Sequence, residues 1–299
     1  MGEIGVHMSF KSMKKIVELC LEQNKSFYEI VIEEDINESD ITLEESLNKM
    51  TQMWNAMIDA SDNYDGKLKS KSGLVGGNGL KMLEYLDKED SYCGSFTTKV
   101  IAEALKMGES NACMKRIVAA PTAGSCGVIP AVLISYYQYA NISEKEIIQA
   151  LYVAGGIGQV IAERAFVSGA AGGCQAEVGV ASAMASGALV FLKNGTVEQI
   201  CHATAMTLKN LLGLVCDPVA GLVEVPCVKR NVIGAVNALS CADMALAGIE
   251  SQVPVDQVID AMKEIGENMN TMYKETACGG CGITPRAVEI ENELKSINI

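Results

Sequence analysis

The stretch 178–192, VGVASAMASGALVFL, limits the fold more than any other part of the chain. It carries no charge, and its Val, Ala, Gly and Leu residues make it apolar on most faces at helical spacing. A helix without a polar face belongs at the centre of a domain. Its small residues let neighbouring helices approach closely. The mostly apolar run 232–249 predicts a second such helix. Apolar residues make up 49% of the chain and aromatic residues only 5%. The core must therefore be built from Ala, Val, Ile, Leu and Met.

Helix starts recur along the chain, while sustained strand alternation is scarce. Thr42, Ser143 and Thr196 each precede a Glu or Gln by three residues, the pattern of a capping box. Pro130 suits the first turn of a helix through Val132, Leu133 and Tyr136. Residues 255–272 repeat apolar positions at steps of three and four. The run Tyr28 to Ile32 reads as a short strand. The expectation is a mostly α protein, one helical domain over 1–299, with Gly- and Pro-rich loops around a buried site. Residues 1–65, more charged, read as a peripheral helical lead-in ending in the turn-rich stretch 61–66. Residues 66–299 read as the core that carries the chemistry.

The formal net charge of −13 gives no counterion-release drive toward a phosphate backbone, so no nucleic-acid partner is expected. No charge interrupts the chain between Arg116 and Glu144, a length that would span a bilayer. Pro121, Pro130 and the glycines between them would leave backbone groups unsatisfied in lipid, so this stretch reads as a loop followed by a buried helix. The N-terminal residues lack the apolar segment of a signal peptide. A soluble, cytoplasmic protein without membrane partners is the expectation.

Eleven cysteines are many for such a chain, and an odd number cannot pair completely. In a reducing compartment they point to metal ligation, catalysis or burial. Cys174 follows Gly172 and Gly173 at a predicted helix start, where N–H dipoles favour a thiolate. Cys216 precedes Asp217 and Pro218, and Cys227 follows Pro226, so both are expected in turns. Three thiolates on separate loops would bind three irons of a cubane cluster, although their intervals match no ferredoxin pattern, and plain burial stays open. Cys278 and Cys281 have the two-residue gap of zinc and redox sites but no second pair. They are read as part of a Gly-rich segment near the site.

Two glycine-rich loops invite an anion. Residues 72–79 lack the Gly-Lys-Ser/Thr ending of a phosphate-binding loop and read as a turn. Thr122, Ala123, Gly124 and Ser125 lie just before the Pro130 helix, where N–H groups and two hydroxyls suit a carboxylate, with a tight turn as the alternative. Only His7 and His202 are present. His202 falls within a helix, as a packed or capping residue, and histidine-based hydrolysis is not expected.

The strings RIVAAPTAGSCGVIPAVL, SGAAGGCQAEVGVASAMASGAL and GLVCDPVAGLVEVPCVKRN resemble the α subunit of the iron–sulfur-dependent L-serine dehydratases. The resemblance runs from about Ser72 to the C-terminal Gly-rich segment. It implies that Cys174, Cys216 and Cys227 hold a [4Fe–4S] cluster acting as a Lewis acid toward the hydroxyl of L-serine. The products would be pyruvate and ammonia. It implies no pyridoxal phosphate, for which Lys81 is the only superficial candidate.

The resemblance also implies a separate β subunit that supplies the base or positions it. Were this chain to turn over alone, suspicion would fall on His202, Glu177 or Lys81. Two departures stand out. Some single-chain relatives end in a cysteine that reaches the open iron, whereas this chain ends ENELKSINI. Asn78 stands where an acidic residue is expected in many relatives. The competing readings are a cluster-dependent L-cysteine desulfidase and, in another class, a non-catalytic iron–sulfur redox sensor.

Overall fold

The computed structural model describes residues 10–86, 88 and 91–296. His7 lies outside the described residues, as do the last three residues. Thirteen α-helices follow one another among the described residues. They are α1 (Met13–Gln23), α2 (Phe27–Ser39), α3 (Leu43–Asp62), α4 (Asn78–Leu86), α5 (Gly94–Ala112), α6 (Val128–Ala140) and α7 (Glu144–Arg164). After them come α8 (Gly169–Gly172), α9 (Val180–Leu192), α10 (Val197–Leu211), α11 (Cys227–Leu246), α12 (Val255–Asn268) and α13 (Pro285–Ser296). Among the described residues the only extended pairing is a single bridge between Cys216 and Lys274. The mostly α expectation holds.

Helix α9 is central, packed against α6, α7, α10 and α11. Its residues from Val180 to Val190 are all buried. At Gly187 a Cβ would fall 2.2 Å from Ile157 Cδ1 on α7, so that crossing requires a glycine. Including the π-turn Gln175–Gly179 that leads into it, this segment is apolar and long enough to cross a membrane, yet 89% of it is buried inside the protein. The uncharged stretch after Arg116 divides, as expected, into a loop and α6.

All three capping boxes form, with Thr42 and Glu45, Ser143 and Glu146, and Thr196 and Gln199 each bonding the other's backbone. A fourth overturns the strand reading of Tyr28 to Ile32, which lies in α2. Ser26 and Glu29 cap that helix, and Phe27 and Val31 then meet α7 across Gly156. Helix capping and a buried apolar face outweigh the β-branched run. The helix expected over 255–272 ends at Asn268, and Thr271–Tyr273 forms a separate 3-10 turn.

The lead-in helices share the main apolar core. Trp54 is buried edge-on against Tyr137, with ring centres 5.6 Å apart. Burying side chains of this size stabilises by roughly 1.5–3 kcal/mol each. Deeper in, Lys106 pairs with Glu103 at 2.8 Å, and both bond Ser61 Oγ, which ties α5 to α3. The C-terminal end of α5 reaches the 122–125 loop, where Asn111 Nδ2 donates to Ala123 O at 3.2 Å.

Candidate metal centre

Three chain segments meet behind the N-terminal ends of α9 and α11. Gly173, at φ +77°, turns the chain out of α8 so that Cys174 caps the π-turn 175–179. The buried Gln175 locks this turn in place. Its Nε2 donates to Met262 O at 3.0 Å, and its Oε1 accepts from Gly213 N at 2.9 Å. Cys216 is held on the other side by the C-terminal segment: its N–H donates to Tyr273 O at 2.8 Å, and its carbonyl accepts from Glu275 N at 2.9 Å. Cys227, expected in a turn, is instead the first residue of α11, because Pro226 ends the loop and occupies the N-cap.

The ligand atoms of Cys174, Glu177 and Cys216 all lie within 4.8 Å of one another, and all three residues are buried. Glycines make the room. A Cβ at Gly169 would fall 2.8 Å from Glu177 Oε2 and 3.0 Å from Cys216 Sγ; one at Gly124 would fall 3.1 Å from Glu177 Oε1. Cys227 is buried nearby but is not among the three residues whose ligand atoms converge.

One cation serves this cluster of acidic groups. Arg230, one turn along α11 from Cys227, sends Nη1 to Cys174 Sγ at 3.5 Å and to Val215 O at 2.7 Å. Its Nη2 pairs with the buried Asp217 at 2.8 Å. The other oxygen of Asp217 accepts from Cys281 N at 2.6 Å. The 278–281 segment thus lies beside the site, as expected, although both of its thiols are exposed.

The electrostatics divide the thiols. Cys174 is held below the usual thiol range by a hydrogen bond from Cys216 and by Arg230, against the opposing effect of burial. Cys216 is pushed up by giving that hydrogen bond and by burial. Burial pushes Cys227 up to about 12. Burial also raises the Glu177 carboxyl, against the hydrogen bond from Thr122. Soft sulfur donors and one carboxylate that converge, buried, beside a guanidinium suit iron or an iron–sulfur centre. At Gly169 and Gly124 the backbone closes in on these ligand atoms, where any side chain would collide.

The four loop residues singled out in the sequence stand against this centre. Ala123–Ser125 form a 3-10 turn capped by Thr122. Thr122 Oγ1 donates to Glu177 Oε1 at 2.8 Å, and Ser125 is fully buried. The 72–79 loop has a different occupant. The N–H groups of Asn78 and Gly79 point to the Glu109 carboxylate at 2.7 and 3.1 Å, and Tyr64 Oη donates to it at 2.5 Å. Lys81 is exposed. His202 accepts Ser251 N at 3.3 Å and lines a surface hollow with Lys14, Val253 and Pro254, away from the thiols. Of the packed or capping role expected, it fills the packed one, bonding the loop between α11 and α12.

Comparison with known proteins agrees with this arrangement. The family described as serine dehydratase alpha chain matches residues 22–282. The chain belongs to that family. The probable L-serine dehydratase alpha chain of Bacillus subtilis (strain 168) is 51% identical over 225 residues, 75% of each chain. That of Latilactobacillus sakei is 50% identical over 196 residues, covering 66% of this chain and 94% of the relative. L-serine dehydratase 1 of Escherichia coli (strain K12) is 36% identical over 292 residues, covering 94% of this chain but 63% of the longer relative.

The three segments that meet at the thiols all lie within the matched region. Sequence reasoning left Asp217, Arg230 and Gln175 without a role. Arg230 carried a signal, since it follows Cys227 by three residues and so shares its helical face. Gln175 and Asp217 adjoin site cysteines, but their partners lie far away in the chain.

Proposed function

We propose that this chain is the cluster-binding subunit of a cytoplasmic L-serine ammonia-lyase, which converts serine to pyruvate and ammonia. The observation that carries this reading is the convergence of Cys174, Cys216 and Glu177 beneath the 122–125 loop in a member of the serine dehydratase alpha-chain family. Cys174, Cys216 and Cys227 would hold a [4Fe–4S] cluster. When bound, the cluster supplies Lewis acidity toward the substrate hydroxyl, which is otherwise a poor leaving group.

The chain's own residues do the rest. Ala123 and Gly124 open a 3-10 turn, where N–H groups lack intrahelical partners, and these take the serine carboxylate. Thr122 orients Glu177 through its hydroxyl. Burial raises the Glu177 carboxyl, and its place beside Cys174 and Cys216 makes it the group that would pass a proton to the departing hydroxyl oxygen. Arg230 offsets the negative charge gathered by the thiolates and Asp217. Removal of the Cα proton falls to a partner β subunit. The alpha-chain names of the two-chain relatives support that partner, as does the greater length of the E. coli relative.

The test is anaerobic reconstitution of the chain with iron and sulfide, followed by a serine-to-pyruvate assay with and without the β subunit. The expected result is cluster binding by the chain alone and full turnover only with the partner. Faster sulfide release from cysteine would make the protein a desulfidase, and a stable cluster without turnover of either substrate would make it a sensor.

A further inference from the structure

Helix α11 grips the site twice. Arg230 reaches Cys174, and the next residue, Asn231, turns the other way into the 122–127 loop. Asn231 is buried, with 1% of its surface exposed. Its Oδ1 accepts from Gly127 N at 2.8 Å. Its Nδ2 donates to Gly124 O at 2.8 Å and to Cys227 O at 3.0 Å. One amide therefore holds both ends of 124–127 and the carbonyl of a cluster cysteine one helical turn away. The loop backbone lies flush on that amide: a Cβ at Gly127 would fall 3.0 Å from Asn231 Oδ1 and 2.7 Å from Ala104 O. Asn231 also lines a small hollow with Ala123, Gly124 and Cys227.

We propose that Asn231 is a positioning residue that fixes the 122–127 loop against the thiols, so that the serine carboxylate and hydroxyl are held at one separation. This rests on the serine-lyase reading above. An amide is needed because one acceptor and two donors must point in different directions. Aspartate has the same shape but cannot donate to the two carbonyls, and leucine can neither donate nor accept. Being buried, Asn231 acts through the loop and not on the substrate.

The test compares wild type, Asn231→Asp and the smaller Asn231→Ala, each as the anaerobic holoenzyme with its β subunit. Iron, sulfide and the visible spectrum should match wild type. The KM for serine should rise about tenfold or more, the size of one or two lost hydrogen bonds, with a smaller change in kcat. Amide hydrogen exchange at 124–127 should quicken while the rest of α11 stays protected. Unchanged KM and unchanged exchange in a folded variant would overturn the assignment. So would loss of the cluster in both variants, because the amide would then be holding Cys227 and not the loop. If wild type itself does not deaminate serine, the serine reading fails, and the exchange measurement alone decides whether Asn231 clasps the loop.

Discussion

The two glycine-rich loops, 72–79 and 120–127, look alike in sequence, and each presents its turn to a buried glutamate. At 72–79 the glutamate is fully engaged: Glu109 takes two backbone N–H groups and the Tyr64 hydroxyl. That anion site is filled by the protein itself and joins the turn after α3 to α4 and α5. At 120–127 the backbone is held by Asn231, and the loop's hydroxyl is given to Glu177, which stands within 4.8 Å of two thiols. The first loop has its partners complete. The second faces a carboxyl group raised above its usual range by burial and approached so closely that glycine stands at 124 and 169. A glycine-rich turn becomes a site through what its neighbours leave unfinished.

Removing iron should separate the loops most sharply. Air with a chelator should abolish activity, and iron(II) with a thiol reductant should restore it. Tryptic cleavage around 72–79 should stay unchanged throughout, since Glu109 and not the cluster fills that loop. Activity that persists in air with a chelator would contradict an open iron.

Exchanging the two glutamates for glutamine sharpens the contrast. Glu177→Gln should lower kcat by about 100-fold or more while the visible spectrum is retained. Glu109→Gln should instead cost about 1–3 kcal/mol in denaturant unfolding, with kcat close to wild type. The reverse pattern would move the site to the first loop.

The smallest effects come from the hydroxyls. Thr122→Ala should weaken kcat/KM for serine by about 1–3 kcal/mol, while Ser72→Ala, which loses a bond to Glu224, should leave kcat/KM unchanged. Equal effects on both would return the 122–125 loop to an ordinary turn.

Local signals in the sequence were enough for most of the fold. The capping boxes at Thr42, Ser143 and Thr196 begin helices because the residues that satisfy each other lie three apart. The stretch before Leu192 had to be central because it is apolar on most faces. Tyr28 to Ile32 misled because its β-branched run was weighed without the Ser26 cap and without α7 opposite.

At the site, the thiols stood out because they adjoin glycine and proline and match a family pattern. The roles of Asp217, Arg230 and Asn231 depend on contacts between segments 13 to 107 residues apart, as from Arg230 to Asp217 and from Asn231 to Gly124. No local pattern encodes such pairings. Nor did composition distinguish the loop that Glu109 fills from the one beside Glu177.

The most direct measurement is the iron and sulfide content, with the visible spectrum, of the anaerobically reconstituted chain and its single Cys→Ser variants. Wild type should hold a full cluster's iron and sulfide. Cys174→Ser, Cys216→Ser and Cys227→Ser should each lose the brown absorbance and the activity together, since a hydroxyl is a poor ligand for iron in such a centre. Cys20→Ser, Cys93→Ser and Cys241→Ser should match wild type. A Cys216→Ser protein that retained the full cluster would contradict the account.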